Sequence, residues 1–291
     1  MLDTELDEIP DQDRRRILLL VGSYDEARRA AEYLNGIPEW NGRVVQLVSD
    51  DADADTAWAR LPEDPAVRTL TRGDVHSFAK IGGELLVAPL LAVERGHNIV
   101  LSTGKAAIGS VYFLARPHPR PDDIALAIQS INDWAVRRLR DTGRFFTQAT
   151  LAAATPHQAA VGFRSRARHQ WNRYLTRRMA WSSLRDDEKV AFTWDQLVVM
   201  WQVIGRLVRG GVPARVAFVD AAFSPREAGF EAVDTPDTSL LASMRAVLAP
   251  YFDEPDIVAQ GAEAPSEPSP IDKSLVRELY EPLYRALVDM G

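Results

Sequence analysis

The chain has 291 residues, 46% of them hydrophobic, enough for one large packed domain or two small ones. Its first thirteen residues are acidic rather than basic-then-apolar, and no apolar run approaches the roughly 20 residues needed to span a bilayer, so a soluble cytoplasmic protein without membrane partners is expected. The formal charge is −7, there is no cysteine, and the five histidines (76, 97, 118, 157, 169) lack metal-ligand spacing, which excludes disulfides and thiolate clusters and leaves no metal expected on this chain.

After an acidic leader over residues 1–14, Arg16-Ile-Leu-Leu-Leu-Val21 is a short apolar run bounded by charge and by Gly22, the pattern of a buried parallel strand. Ser23 is placed to cap a helix over 24–34, whose Ala27, Ala30, Ala31 and Leu34 share one face. The alternation then repeats: strand 43–48, helix 56–61, strand 67–70, helix 74–81, strand 84–88, with further strands at 98–101 and 110–114. Parallel strands need crossover connections, so this order predicts an α/β fold with a doubly wound parallel sheet.

Arg116-Pro-His-Pro-Arg-Pro121 cannot be central sheet, because proline removes ladder donors, and it leads into a helix expected over 122–140. A mostly helical insertion is expected over about 116–190. Between Arg137 and Arg185 there are eleven Arg, no Lys and one acid, Asp141, while the leader and residues 253–268 hold much of the acidity; the field is therefore polarised. A helix over 193–209 and a last buried strand over 214–219 follow, closing the main domain near residue 222. Residues 223–270 read as an extension and linker, rich in Pro, Glu, Ser and Ala towards their end. The terminal element 271–291 repeats Ile271, Leu275, Leu279, Leu283 and Leu287 at helical spacing, with a break expected near Pro282 and docking on this domain or a partner.

The most informative string is Gln202-Val-Ile-Gly-Arg206-Leu-Val-Arg209-Gly-Gly, near a helix end and just before a strand. Two Arg three apart on a helix point the same way, so both guanidinia can reach one anionic ligand, while Gly205 permits close backbone approach. A guanidinium fork binds phosphate oxygens bidentately and can stabilise charge on a transferred phosphoryl group. The plainer reading is a surface helix with solvated arginines. A phosphate-cradling loop, Gly-x-x-x-x-Gly-Lys-[Ser/Thr], occurs nowhere, and no acidic Walker B strand end is present; Gly104-Lys105, after Ser-Thr and before Ala-Ala, is a lone Gly-Lys pair. The second constellation is Phe163-Arg-Ser-Arg-Ala-Arg-His-Gln-Trp-Asn-Arg-Tyr174, which interleaves cations with aromatics. Arg164, Arg166, Arg168, Trp171 and Arg173 suit a nucleic-acid strand held by phosphate contacts and base stacking; equally, they suit a solvated helix face with its aromatics packed inward.

The Gln-x-x-Gly-Arg-x-x-Arg string resembles motif VI of superfamily 2 nucleic-acid helicases, and its flanks, Phe192-Thr-Trp-Asp-Gln-Leu and Arg215-Val-Ala-Phe-Val-Asp220, resemble that motif's setting in the XPD/DinG-like branch. Residues 17–34 are similar to motif IV, and Glu84–Ala88 with Glu94-Arg-Gly-His-Asn98 to motif V, in the expected order over about 15–222. Pro89 and Leu90 stand where many relatives carry Thr and Asp, and Asn98 where Asp is commoner. The resemblance implies a RecA-like second motor domain in which Arg206 and Arg209 act as arginine fingers, and Gln202 and Gly205 face ATP. Gly96 and Asn98 would lie near the ribose, with Glu94 as a coupling residue; a simple strand-connecting turn is the other reading of that segment. ATP and Mg²⁺ would be held mainly by a P-loop domain or subunit elsewhere, so this chain would not hydrolyse ATP alone; the nucleic-acid partner would be DNA or RNA. More narrowly, residues 83–100 and 104–123 resemble the helicase-type component of prokaryotic PIWI-and-nuclease (pPIWI-RE) islands, which implies PIWI and nuclease partners in anti-phage or anti-plasmid defence. Two further classes remain open: a helicase-derived scaffold that binds nucleic acid or proteins without an ATP cycle, and a Rossmann-like enzyme such as a nucleotide-sugar transferase. The last lacks a Gly-x-Gly-x-x-Gly turn and an acid/base pair.

Overall fold

The computed structural model describes residues 2–50, 67–93, 98–117, 128, 131–132, 134–136, 155–176, 181–230, 232–253 and 268–290. The expected helix at 56–61, most of that at 122–140 and residues 254–267 of the linker lie outside them. The chain divides into two compact units, residues 1–117 with 186–291, and residues 118–185.

The first unit is built on six parallel strands: β1 (Ile17–Val21), β2 (Val44–Val48), β3 (Arg68–Thr71), β4 (Leu85–Pro89), β5 (Ser110–Phe113) and β6 (Arg215–Phe218). Their order is β3-β2-β4-β1-β5-β6. The sequentially first strand is thus central, with Leu18 paired to Leu86 on one side and Val111 on the other. All five residues of β1 and of β4 are buried, because helices cover both faces; that is why both strands read as unbroken apolar runs.

One face is covered by α1 (Leu2–Glu8) and α2 (Tyr24–Asn35), whose Leu6, Ala27 and Ala31 join Ile9, Ile17, Leu19, Val21, Val44, Leu85, Val87 and Tyr112 in one core. Ser23 caps α2 by accepting from Glu26 N at 3.2 Å, and the Glu26 carboxylate reaches back to Gly22 N at 2.7 Å, satisfying two otherwise orphaned donors. On the other face Leu18 meets Val75 together with Val203 and Leu207 of a long helix, α5, described below. Helices on both faces of a parallel sheet make the doubly wound α/β arrangement expected from the alternation.

Two short segments depart from expectation. Residues 74–81 form a 3₁₀ segment, Val75–Lys80, rather than an α-helix; Asp74 gives it no side-chain cap, and 3₁₀ geometry serves such brief pieces. Residues 98–101 are not a strand: Val100 makes only an isolated bridge to Ala106, since the chain reverses at Gly104 (φ +79°) before a ladder can form. After β4 comes a single turn, α3 (Leu90–Val93).

The second unit contains α4 (Pro156–Thr176), preceded by helical residues 128, 131–132 and 134–136. Phe163 stacks on Trp134 with ring centroids 5.5 Å apart.

Back in the first unit, α5 (Asp186–Leu207) is one continuous 22-residue helix that begins seven residues before the expected Thr193 and ends at Leu207. Following β6 and a short α6 (Pro225–Ala228), α7 (Leu240–Phe252) packs between α5 and the terminal helix α8 (Pro270–Asp289). Thr193 and Ser243 exchange a buried hydroxyl hydrogen bond of 2.7 Å between α5 and α7. The terminal stripe does not dock as its leucines suggest. Each step of four residues overshoots a full turn by about 40°, so a row of i, i+4 repeats winds around the helix. Ile271, Leu275 and Leu279 accordingly remain exposed, while Leu283 and Leu287 of the stripe are buried together with Tyr280 and Tyr284. Tyr280 contacts Trp201 at 6.0 Å and Tyr284 stacks on Phe252 at 4.4 Å, while Pro282 is held inside an unbroken helix. Among the described residues no helix is long and apolar enough to cross a membrane.

Candidate functional site

The motif-like string lies at the C-terminal end of α5, where helix gives way to the turn that feeds β6. Gln202 is exposed, Gly205 is half-buried, and among the described residues a Cβ built on Gly205 would meet no atom beyond its own helix within 4 Å, so that face of the helix is open to approach. Arg206, also half-buried in the last turn, donates from Nη1 to the Val93 carbonyl at the end of α3. It lines, with Leu18, Val93, Ile99, Ala106 and Val203, an apolar cavity of about 30 Å³. A space of that size holds on the order of one or two waters, far below what a nucleotide needs.

Arg209 does not share the helical row with Arg206. The helix ends at Leu207, and Arg209 lies in the following turn, its N–H 3.4 Å from the Arg206 carbonyl and its side chain exposed. Gly210 (φ +83°) and Gly211 (φ +70°) supply the left-handed conformations that stop the helix here. The two guanidinia are therefore placed by different structures: one by a packed helix, the other by a solvent-facing turn.

A residue of the supposed leader organises this end. Arg14 is 2% exposed and donates to four backbone carbonyls: Nε to Ala106 at 2.8 Å, Nη1 to Pro213 at 2.7 Å, and Nη2 to Ile108 and Leu207 at 3.0 Å each. It satisfies an orphan carbonyl at the end of α5 and places a cation where the helix macrodipole is negative. Burial pushes its pKa below the usual arginine value, with Asp11 opposing. Gly109 makes room for this approach, since a Cβ there would lie 2.9 Å from the Arg14 carbonyl oxygen and 2.8 Å from Ile9 Cγ2. Arg16 is anchored similarly, Nη2 reaching the Ala79 carbonyl at 3.2 Å, while Arg15 points outward to Asp7 at 3.4 Å. The triple-arginine run carries no local signal for this, since Arg14 closes a 3₁₀ turn, Gln12–Arg14, rather than an extended segment.

Within the N-terminal acidic segment, Leu2–Glu8 form the helix α1. Glu5 is 5% exposed and accepts from Ser110 Oγ and from Arg215 Nη1, the latter at 2.9 Å. Burial, then a hydrogen bond to Glu5, pushes the Tyr112 phenol up to about 12.

Of the remaining candidates, Glu94 and Gly96 lie outside the described residues, and Asn98 is exposed. On α4 the five named residues fall into two rows. Arg164, Arg168 and Trp171 stand at i, i+4 and i+7 on one side, and Arg166 and Arg173 at i and i+7 on nearly the opposite side. The half-buried Phe163, Ala167 and Gln170 run between them. Arg164, Arg166 and Arg168 are exposed, Trp171 and Arg173 half-buried, and the helix contains no acid.

Comparison with protein-family models, with curated proteins and with solved structures gave no match.

Proposed function

We propose that this chain is the second motor domain of an ATP-dependent nucleic-acid helicase or translocase, contributing Arg206 and Arg209 to a nucleotide site completed by a P-loop domain. The observation that carries the reading is the Gln202-x-x-Gly205-Arg206-x-x-Arg209 string at the end of α5, immediately before β6 of a doubly wound parallel sheet. Such strings fit phosphate because guanidinium forks pair with phosphate oxygens. Among the described residues Arg206 borders a water-sized cavity and the Gly205 face is open, which suits a nucleotide carried by another domain and met on closure.

When bound, ATP with Mg²⁺ supplies the phosphoryl-transfer chemistry. This chain's part is electrostatic: Arg206, positioned by its bond to the Val93 carbonyl, and Arg209, free to swing on its glycine turn, offset charge at the phosphate edge. The arginines of α4 offer an acid-free surface for the nucleic acid. The narrower resemblance extends the proposal to a defence complex with PIWI and nuclease partners.

The deciding measurement is ATPase of the assembly reconstituted with the P-loop partner. Arg206→Ala should abolish turnover while the fold and nucleotide binding persist; unchanged turnover overturns the proposal. The scaffold alternative makes the opposite forecast, nucleic-acid binding that is indifferent to nucleotide in that same assembly.

A further inference from the structure

We infer that Lys105 and Arg209 together form one anion site, built by two abutting glycine turns and suited to the phosphate tail of a nucleotide. This deepens the motor reading and rests on it for the nucleotide's identity.

The turn after α5 meets a second turn from a distant part of the sequence. Leu101 N donates to the Lys105 carbonyl at 2.8 Å and Gly104 N to the Leu101 carbonyl at 2.9 Å, closing a tight reversal at Gly104. Ala106 N then donates to the Arg209 carbonyl at 3.0 Å, joining the two turns through backbone. At Gly210 a Cβ would lie 3.1 Å from Lys105 Cα and 3.2 Å from its Cγ, and the φ of +83° strains any other residue. Glycine is thus required for the seam that sets Lys105 beside Arg209.

Both side chains are exposed, and neither has a hydrogen bond or ion pair among the described residues. Ser102 and Thr103, on the same turn as Lys105, are exposed as well and add hydroxyl donors. A helix C-terminus by itself repels anions, carrying about half a negative charge. Here the full charge of buried Arg14 sits on that terminus through the Leu207 carbonyl, leaving the charges of Lys105 and Arg209 in surplus. A lysine supplies a mobile point charge and an arginine a planar fork, a combination that spans adjacent phosphates.

The arrangement is not a P-loop. No helix follows Lys105, because residues 106–109 lead directly into β5, so no row of helix N-terminal amides is available. Side chains alone hold the ligand, which suits an anion shared with a partner. Backbone phosphates of nucleic acid have the same chemistry, but they would call for a track of cations, and this is a single pair on two joined turns.

The test is titration of the full chain with inorganic tripolyphosphate and, separately, with a short single-stranded oligonucleotide, by calorimetry at low salt. Lys105→Gln and Arg209→Gln should each weaken tripolyphosphate binding about tenfold, the scale of one charge-assisted hydrogen bond. Arg226→Gln, which removes an exposed cation elsewhere, should leave it unchanged. Wild-type affinity in either variant, or an equal loss in Arg226→Gln, overturns the site. Loss confined to the oligonucleotide overturns the nucleotide assignment. The titration needs no partner, so it remains readable if Arg206→Ala fails to stop turnover; conversely, lost turnover in Arg206→Ala with Lys105→Gln binding normally sinks only this site.

Discussion

Arg14, Arg16, Arg43 and Arg215 of the sheet-bearing unit are tied down, whereas Arg164, Arg166 and Arg168 of α4 stand open. Arg14 and Arg16 end on backbone carbonyls, Arg43 pairs with Glu84, and Arg215 bridges Glu5 and Glu8. Arg164, Arg166 and Arg168 are exposed and have no hydrogen bond or ion pair among the described residues. The same side chain serves as an internal staple where acceptors surround it and as available charge where they do not. Substitutions should therefore cost stability in the first group and binding in the second.

The largest effect on stability is expected at Arg14. Arg14→Ala leaves four carbonyls without their donor and opens a void beneath the end of α5; with about 1 kcal/mol or more at stake for each unsatisfied group, a loss of roughly 3 kcal/mol or more is expected. Arg14→Lys keeps the charge but lacks the fork, so it should recover only part. Urea denaturation of the full chain measures both, and a loss under about 1 kcal/mol for Arg14→Ala would show that the staple is dispensable.

Next comes the Glu5 cluster. Glu5→Ala strips Ser110 and Arg215 of an acceptor and should cost roughly 1–3 kcal/mol, less than Arg14→Ala because Arg215 retains Glu8. The neighbouring phenol gives this cluster a pH signature. Tyr112 has a folded pKa of about 12, above the usual value of about 10, so its contribution is full below about pH 10 and disappears as pH rises towards 12. Tyr112→Phe should flatten that alkaline fall in Tm; an unchanged slope would place its cause elsewhere.

What could be read from sequence divides along the same line. β1 and β4 were legible because burial on both faces leaves an uninterrupted apolar run. The capped start of α2 was legible too, because Ser23 and Glu26 act within a few residues. The acidic residues 2–8 form a packed helix whose buried Glu5 depends on Arg215, far away in the chain, so this packing was not legible in local composition. α7 went unread for another reason: Leu240–Phe252 is largely apolar with Pro250 inside, and it is stabilised by α5 and α8 rather than by its own pattern. In the candidate site the residue string was legible but its geometry was not. Helical spacing puts Arg206 and Arg209 side by side, yet the glycine pair ends the helix between them. Arg14 was beyond reach, since its partners are backbone carbonyls, which every residue has.

The smallest effect on stability, and the sharpest probe of the comparison, belongs to α4. Arg164→Gln with Arg168→Gln removes charge from one row and should change stability by no more than about 0.5 kcal/mol, because neither side chain has a partner to lose among the described residues. If that row tracks a nucleic-acid strand, each lost phosphate contact should lower the salt dependence of single-strand binding by about 0.7 in the slope of log K against log salt. Trp171→Ala on the same side should weaken binding with the slope unchanged, because stacking releases no counterions. Arg166→Gln, on the far side of the helix, discriminates between the two descriptions of α4. A slope that responds to Arg164 and Arg168 but not to Arg166 defines a binding face. An equal response at all three positions describes a diffuse cationic helix, and no response at any of them describes a solvated surface whose arginines contribute solubility alone.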